Sequence, residues 1–313
     1  MVGPKIAELT VSKKSAQMSA GDAGWYKGQD IEYFPRSLGH FSPLAQFAPR
    51  YVFHGFGPES PILKDTDKVI TMGSCFADRL RNWLKANGRN ADYLNVPEGL
   101  NNSFAVRQYL EWALTGERSE DAYWYTEPGQ TWEPEQEQKE VLEHFKNTKA
   151  VVITFGLAEV WRDVDTGGVF WRGVPDDVYD SEKHSIQRTT VQQNVKNFNR
   201  ICYLIKKYAG EDTIIVFTLS PVPLNATFTG QPTMVADCAS KSILRAALDE
   251  FFFHSIRNTY YWPSFEMVRW VGAHVPLATL WEDNTPRHVN NEIVGIIIDN
   301  FVKKFFEVSQ NKS

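Results

Sequence analysis

Two hydrophobic patterns alternate along the chain. Lys68 to Met72 is a short β-branched run ended by Gly73-Ser74, and from Cys75 to Asn87 the residues Phe76, Leu80, Trp83 and Leu84 recur at helical spacing until Gly88 stops them. A second helix follows Asn102-Ser103, with Phe104, Val106, Tyr109, Leu110 and Leu114 as its stripe and Gly116 as its end. Residues 117 to 135 read as loop. Ala150 to Phe155 is an unbroken apolar run ending at Gly156, the pattern of a strand covered on both faces. Thr190 to Ala209 then reads as a long helix, Thr213 to Leu219 as a buried strand and Val235 to Ile256 as a helix. Thr259 to Trp262 reads as a short strand, and a last helix runs from about Asn290 to Val308. This alternation predicts one α/β domain over residues 61–309, three-layer α/β/α with a mainly parallel sheet. Residues 1–60, rich in Gly, Pro and Ser without sustained periodicity, read as an irregular arm packed on that domain, and 310–313 as a tail.

Composition narrows the partners. Apolar residues at 42% and charged residues at 23% supply a sizeable core and argue against wholesale disorder. A formal charge of -5 provides no positive field to concentrate a polyanion, so nucleic acid is not an expected partner. No uninterrupted apolar run follows the first basic residues, and Ile293 to Phe306 is broken by Asp299, Asn300, Lys303 and Lys304. Neither a signal peptide nor a membrane span is expected. Cys75, Cys202 and Cys238 are an odd set at wide spacing, which fits neither a disulfide framework nor a zinc site and points to a reducing, cytoplasmic setting. With no phosphate-cradling loop, dinucleotide fingerprint or close His/Cys set, no cofactor or metal is expected.

In open parallel sheets, ligands gather beyond the carboxyl ends of the strands. That rule selects Gly73-Ser74-Cys75, Gly156-Leu157-Ala158-Glu159 and Ser220-Pro221-Val222-Pro223. Ser74 falls at a strand-to-helix turn, where unpaired N–H groups favour an oxyanion. The same placement also describes a plain helix cap. A serine nucleophile needs a base, and His288 stands in a polar loop with Glu282 and Asp283 just before the last helix. It reads equally as a solvated or capping histidine, while His254 and His274 read as core or surface residues. Cys75 is a second nucleophile candidate because a helix N-terminus lowers a thiol pKa, against the simpler reading of a small packing residue. Trp161, Trp171 and Tyr179 serve either the core or a sugar-binding face. Lys241 with Arg245, and Arg287, read either as anion ligands or as ordinary surface charges.

The string Gly73-Ser74-Cys75-Phe76-Ala77 after an apolar strand resembles the signature of the GSCFA family, placed among SGNH-like hydrolases. Thr154-Phe155-Gly156-Leu157-Ala158-Glu159-Val160-Trp161, Thr218-Leu219-Ser220-Pro221-Val222-Pro223, Ser240-Lys241 with Leu244-Arg245, and Tyr261-Trp262-Pro263-Ser264-Phe265-Glu266 agree in order, over about residues 60 to 305. The resemblance implies a flavodoxin-like, SGNH-type sheet, with Ser74 as nucleophile and His288 as base. It implies an oxyanion hole built from the serine N–H, a second-block glycine and a third-block asparagine. Gly99 and Asn102 are the second-block candidates, but Glu159 stands where the third-block asparagine is expected. An ionised carboxylate cannot donate. Either Asn102 supplies the missing donor or the chemistry departs from simple ester hydrolysis. Asp283 precedes His288 by five positions rather than the usual three, so it completes a triad through the bend at Pro286 or leaves a dyad. Gly156, Glu159, Trp161, Lys241 and Arg287 make up the expected substrate-binding set.

The implied activity is that of a serine esterase or O-acyltransferase on an acyl ester of a carbohydrate, glycoconjugate or small metabolite, with an acyl donor in the transferase case. The competing classes are a non-catalytic binding domain on the same scaffold and a Cys75-dependent thiol enzyme.

Overall fold

The computed structural model describes residues 32–94, 101–118, 122–123, 134–170, 174, 176–276 and 286–307. Helix α1 (Leu44–Tyr51) precedes strand β1 (Lys68–Gly73), helix α2 (Cys75–Ala86), strand β2 (Ala91–Leu94) and helix α3 (Ser103–Thr115). Next come β3 (Ala122–Tyr123), α4 (Pro134–Phe145), β4 (Thr148–Phe155), β5 (Glu159–Asp163), β6 (Val169–Phe170) and β7 (His184–Arg188). The chain closes through α5 (Val191–Ala209), β8 (Ile214–Leu219), α6 (Thr233–Phe253), β9 (Thr259–Trp262), α7 (Ser264–Arg269) and α8 (Asn291–Phe305).

Five strands form the central sheet in the order β2-β1-β4-β8-β9, and each neighbouring pair is parallel. The unbroken apolar runs explain why both faces are covered. In β1 and β4, Ile70, Met72, Val151, Ile153 and Phe155 pack toward α3, α4, α5 and α6. Val69, Ala150 and Val152 pack with the other layer, made by α1, α2, α7 and α8. A period of two thus divides each strand between two cores, and each fully buried aliphatic side chain contributes roughly 1.5–3 kcal/mol of transfer free energy. The expected three-layer α/β/α class is the one observed. Among the described residues, no helix is long and apolar enough to cross a membrane.

Three regions differ from the sequence pattern. The segment read as an irregular arm contains α1, which buries Phe47 and Ala48. Just after that segment, Ile62 and Leu63 donate N–H groups to Phe305 O at 2.9 and 2.8 Å, and Glu307 N–H returns to Leu63 O at 2.7 Å, joining the start of the domain to the end of α8. Helix α4 starts inside the stretch read as loop. Its buried anchors are Val141 and Phe145, too few to mark a helical stripe in a Glu- and Gln-rich sequence. A second sheet, ordered β3-β6-β5-β7, joins β3, which precedes β4, to three strands inserted after β4, with β5 antiparallel to both β6 and β7. The short sequences Glu159–Asp163 and His184–Arg188 carry few apolar residues, so alternation gives little signal there.

Strand order reverses between β1 and β4: the chain passes outward to β2, then returns across β1 to β4. At this switch point Gly73 has φ +109°, and an added Cβ would lie 2.2 Å from Thr154 O. Neither backbone can withdraw without breaking the register that pairs Gly73 with Thr154. Gly73→Ala is therefore expected to destabilise the fold by roughly 3 kcal/mol or more, combining backbone strain with overpacking. Gly88, with φ +73° and open space around it, supplies the control, for which alanine costs about 1–2 kcal/mol through backbone strain alone. Equal urea midpoints for the two variants would contradict the close approach.

Candidate active site

The loops after β1, β4 and β8 and the segment before α8 surround a cleft of about 1040 Å³ at the switch point, lined by Ser74, Asn101, Gly156, Arg287 and His288 among others. This is the crevice that the topology of a doubly wound sheet creates. Ser74 and His288, far apart in sequence, therefore share one cavity.

Ser74 is the N-cap of α2, and its Oγ accepts from Phe76 N–H at 3.3 Å. It is 5% exposed. Because that bond uses an acceptor site of the hydroxyl, the hydroxyl proton stays available to a base. Ala77 N–H donates to Ser74 O at 2.8 Å, and Tyr93 Oη donates to Gly73 O at 3.0 Å, bracing the corner from both sides. The backbone N–H groups of Ser74 and Cys75 stand at the start of α2. They sit at the positive end of a helix, where the first N–H groups lack intrahelical partners.

His288 is half-buried, and it also lines a small crevice with Phe76, Arg79 and Val222. Its position is fixed through its neighbours. Arg79 of α2 donates to Val289 O at 2.7 Å and to Asn291 Oδ1 at 3.1 Å, while Arg287 Nε donates to Pro223 O at 3.3 Å. The histidine segment is thereby strapped to the helix that begins at Ser74. Among the described residues, no hydrogen bond joins His288 to Ser74 or to a carboxylate. Catalytic hydrogen bonds commonly tighten only when substrate is bound.

The loop after β4 offers no spare N–H. Gly156 and Leu157 donate to Asn101 O at 2.6 and 3.2 Å, and Ala158 N–H donates to Ser240 Oγ at 2.6 Å. This close contact explains Gly156, since a Cβ there would meet Asn101 Cβ at 3.0 Å. Asn102 is not the cleft residue: its Oδ1 accepts from Ala105 N–H at 2.8 Å and caps α3. Asn101, one position earlier, lines the cleft. The sequence reading missed it because adjacent asparagines at a helix start are equally good caps, and only the strand-to-helix geometry decides between them.

Several expected substrate ligands instead hold the walls. Lys241 is buried and donates Nζ to Gly156 O at 2.5 Å, because α6 turns its Ser240-Lys241 pair inward onto the β4 loop. Arg245 follows it inward, donating to Glu266 at 2.6 Å. Glu159 is buried in β5 and accepts from Thr227 Oγ1 at 2.9 Å, with Arg188 Nε at 4.0 Å. Lys241 and Glu159 thus brace loops rather than line the cleft. Trp161 acts at one remove: its ring lies 5.2 Å from that of Phe228, a cleft-lining residue, and 5.8 Å from that of Tyr179. Gly156 and Arg287 do line the cleft. Asp283, Gly99 and Trp171 lie outside the described residues.

Buried thiol chemistry is disfavoured at Cys202, whose pKa burial pushes up to about 12. Cys238 is exposed on α6. Among the described residues, no group of His, Cys, Asp or Glu is arranged to hold a metal ion.

A doubly wound α/β protein with a serine at the N-terminus of its first central helix and a histidine across the same crevice is defined by these features. The GSCFA family model matches residues 68–301, so the chain belongs to the GSCFA family. No curated protein matches it.

At the rim, Asp92 faces Lys68 at 3.6 Å, Lys85 at 3.5 Å and His144 at 3.4 Å. Partial burial works against its charge, but Lys68, His144 and Lys85 outweigh burial and hold its pKa below the usual value. A carboxyl depressed in the folded state stabilises the protein above its unfolded pKa, near 3.9, and loses that contribution as pH falls through the folded value. Asp92→Asn should flatten the acid side of a stability profile below about pH 4. An acid limb identical to that of the unaltered protein would contradict the assignment.

Proposed function

We propose that this GSCFA-family protein is an SGNH-type serine esterase or O-acyltransferase, with Ser74 as nucleophile and His288 as general base. The observation that carries the proposal is that both residues line one cleft at the switch point of the sheet. His288 takes the Ser74 proton as Oγ attacks an acyl carbonyl, forming a tetrahedral intermediate. The Ser74 and Cys75 N–H groups and the Asn101 side-chain amide stabilise its oxyanion, which replaces the donor that Glu159 cannot provide. The intermediate collapses, the alcohol leaves with the proton held by His288, and the acyl group stays on Ser74. Water then completes hydrolysis, or an acceptor hydroxyl completes transfer. Asp283 orients the imidazole in the triad version of this scheme, and a backbone carbonyl does so in the dyad version.

The lining favours a polar substrate. Asp78, Arg81, Lys85, Asp92 and Arg287 surround the cleft, a poor setting for a long acyl chain and a good one for a carbohydrate, glycoconjugate or small metabolite ester. Its volume lies at the upper end of small-ligand sites, about 300–1,000 Å³, so an acyl donor and an acceptor fit together. Arg287 is placed to receive an anionic group on the substrate.

A fluorophosphonate probe should label Ser74, and His288→Ala should slow labelling by about 10²–10⁴-fold. Asn101→Ala should lower kcat on an aryl ester by about 10²–10³-fold with little change in KM. An inert Ser74 in a folded protein would instead favour a binding domain in which Ser74 only caps α2. Iodoacetamide sensitivity together with an active Ser74→Ala variant would favour Cys75.

A further inference from the structure

We propose that Asp237 and Arg269 are positioning residues for substrate binding: their ion pair holds the Pro221–Leu224 wall of the cleft and, through it, the Arg287 guanidinium that receives an anionic group of the substrate. This rests on the esterase or acyltransferase reading of the cleft. Neither Asp237 nor Arg269 is among the residues that line the cleft. Val222, Pro223 and Leu224 do line it, in company with Ser74, Arg287 and His288.

The wall has little backbone structure of its own. Proline carries no N–H, so Pro221-Val222-Pro223-Leu224 offers only two backbone donors. Both go to side chains: Val222 N–H donates to Ser220 Oγ at 3.3 Å, and Leu224 N–H donates to Asp237 Oδ1 at 2.9 Å. Two of the carbonyls are held as well, Pro221 O accepting from Arg269 Nε at 3.1 Å and Pro223 O from Arg287 Nε at 3.3 Å. Asp237 is buried early in α6, and its Oδ2 accepts from Arg269 Nη2 at 2.5 Å. Arg269, the last residue of α7, thus spans a carboxylate and a loop carbonyl with one planar group, a geometry that a single ammonium does not fix. A pair that only stapled α6 to α7 would need no contact with the loop, yet each partner makes a second hydrogen bond to it. The consequence reaches Arg287. Pro223 O takes one of its N–H donors and so sets the direction of its fork, and a wall released by loss of the pair carries that carbonyl away. The substrate that senses this displacement is an ester bearing a carboxylate or phosphate, because a neutral ester makes no ion pair with Arg287.

Steady-state hydrolysis of para-nitrophenyl acetate and of its analogue with a carboxylate on the ring tests the assignment in the full chain. Arg269→Gln should raise KM for the carboxylate ester about tenfold, the scale of one weakened charge-assisted contact, with kcat within about twofold and a smaller rise for the neutral ester. Added to Arg287→Gln, it should raise KM no further, because the two residues act in series. Asp237→Asn with Arg269→Gln strands no buried charge, and it should reproduce the effect in a protein whose urea midpoint shows it folded. Equal rises in KM for the two esters overturn the proposal while Ser74 still labels with fluorophosphonate. So does a fall in kcat at unchanged KM, or an effect that multiplies with that of Arg287→Gln. An unaltered protein that hydrolyses neither ester and leaves Ser74 unlabelled removes the esterase reading itself, and this proposal with it.

Discussion

The approach of two peptide backbones at the ends of β1 and β4 governs everything built above them. A Cβ at position 73 would lie 2.2 Å from Thr154 O, so only a residue without one fits, and Gly73 occupies that place with φ +109°. From there the chain has one way to proceed, into a helix capped by the next residue. Ser74 is consequently delivered to the wall of the crevice by the packing of the sheet, and its position follows from a backbone constraint.

The rest of the site is assembled around that corner by long-range braces. Ser240 and Lys241 of α6 grip the loop after β4, and that loop in turn holds Asn101 through its carbonyl. Arg79 joins α2 to Val289 and so ties the His288 segment to the helix that begins at Ser74. Buried polar groups of this sort are costly unless paired, and Ser240, Lys241 and Arg79 each find a partner on another element.

The sequence made the central sheet legible because continuous apolar runs such as Ala150–Phe155 admit few other structures. Gly73-Ser74 was also legible, since a strand, a glycine and a capping residue in that order have a single geometric meaning. Direction was harder to read. Lys241 looked like a ligand by residue type, yet the face of α6 that carries it turns inward, and a charged residue in an apolar helix gives no warning of this. Asn101 and Asn102 are chemically identical, so only the start of α3 separates the cleft residue from the cap. The small sheet escaped notice because five-residue strands such as HSIQR carry almost no periodic signal.

Strands β5, β6 and β7 of that small sheet leave and rejoin the scaffold at nearly one point. Thr189 N–H donates to Ala158 O at 2.7 Å, which closes the excursion of residues 159–188 like the neck of a bag. Closure by a scaffold hydrogen bond means that the length and content of the excursion are decoupled from the registry of the parallel sheet. The segment that supports Phe228 through Trp161 can thus vary in length between its anchors, provided that Val160 and Val169 keep their packing on Phe104 of α3.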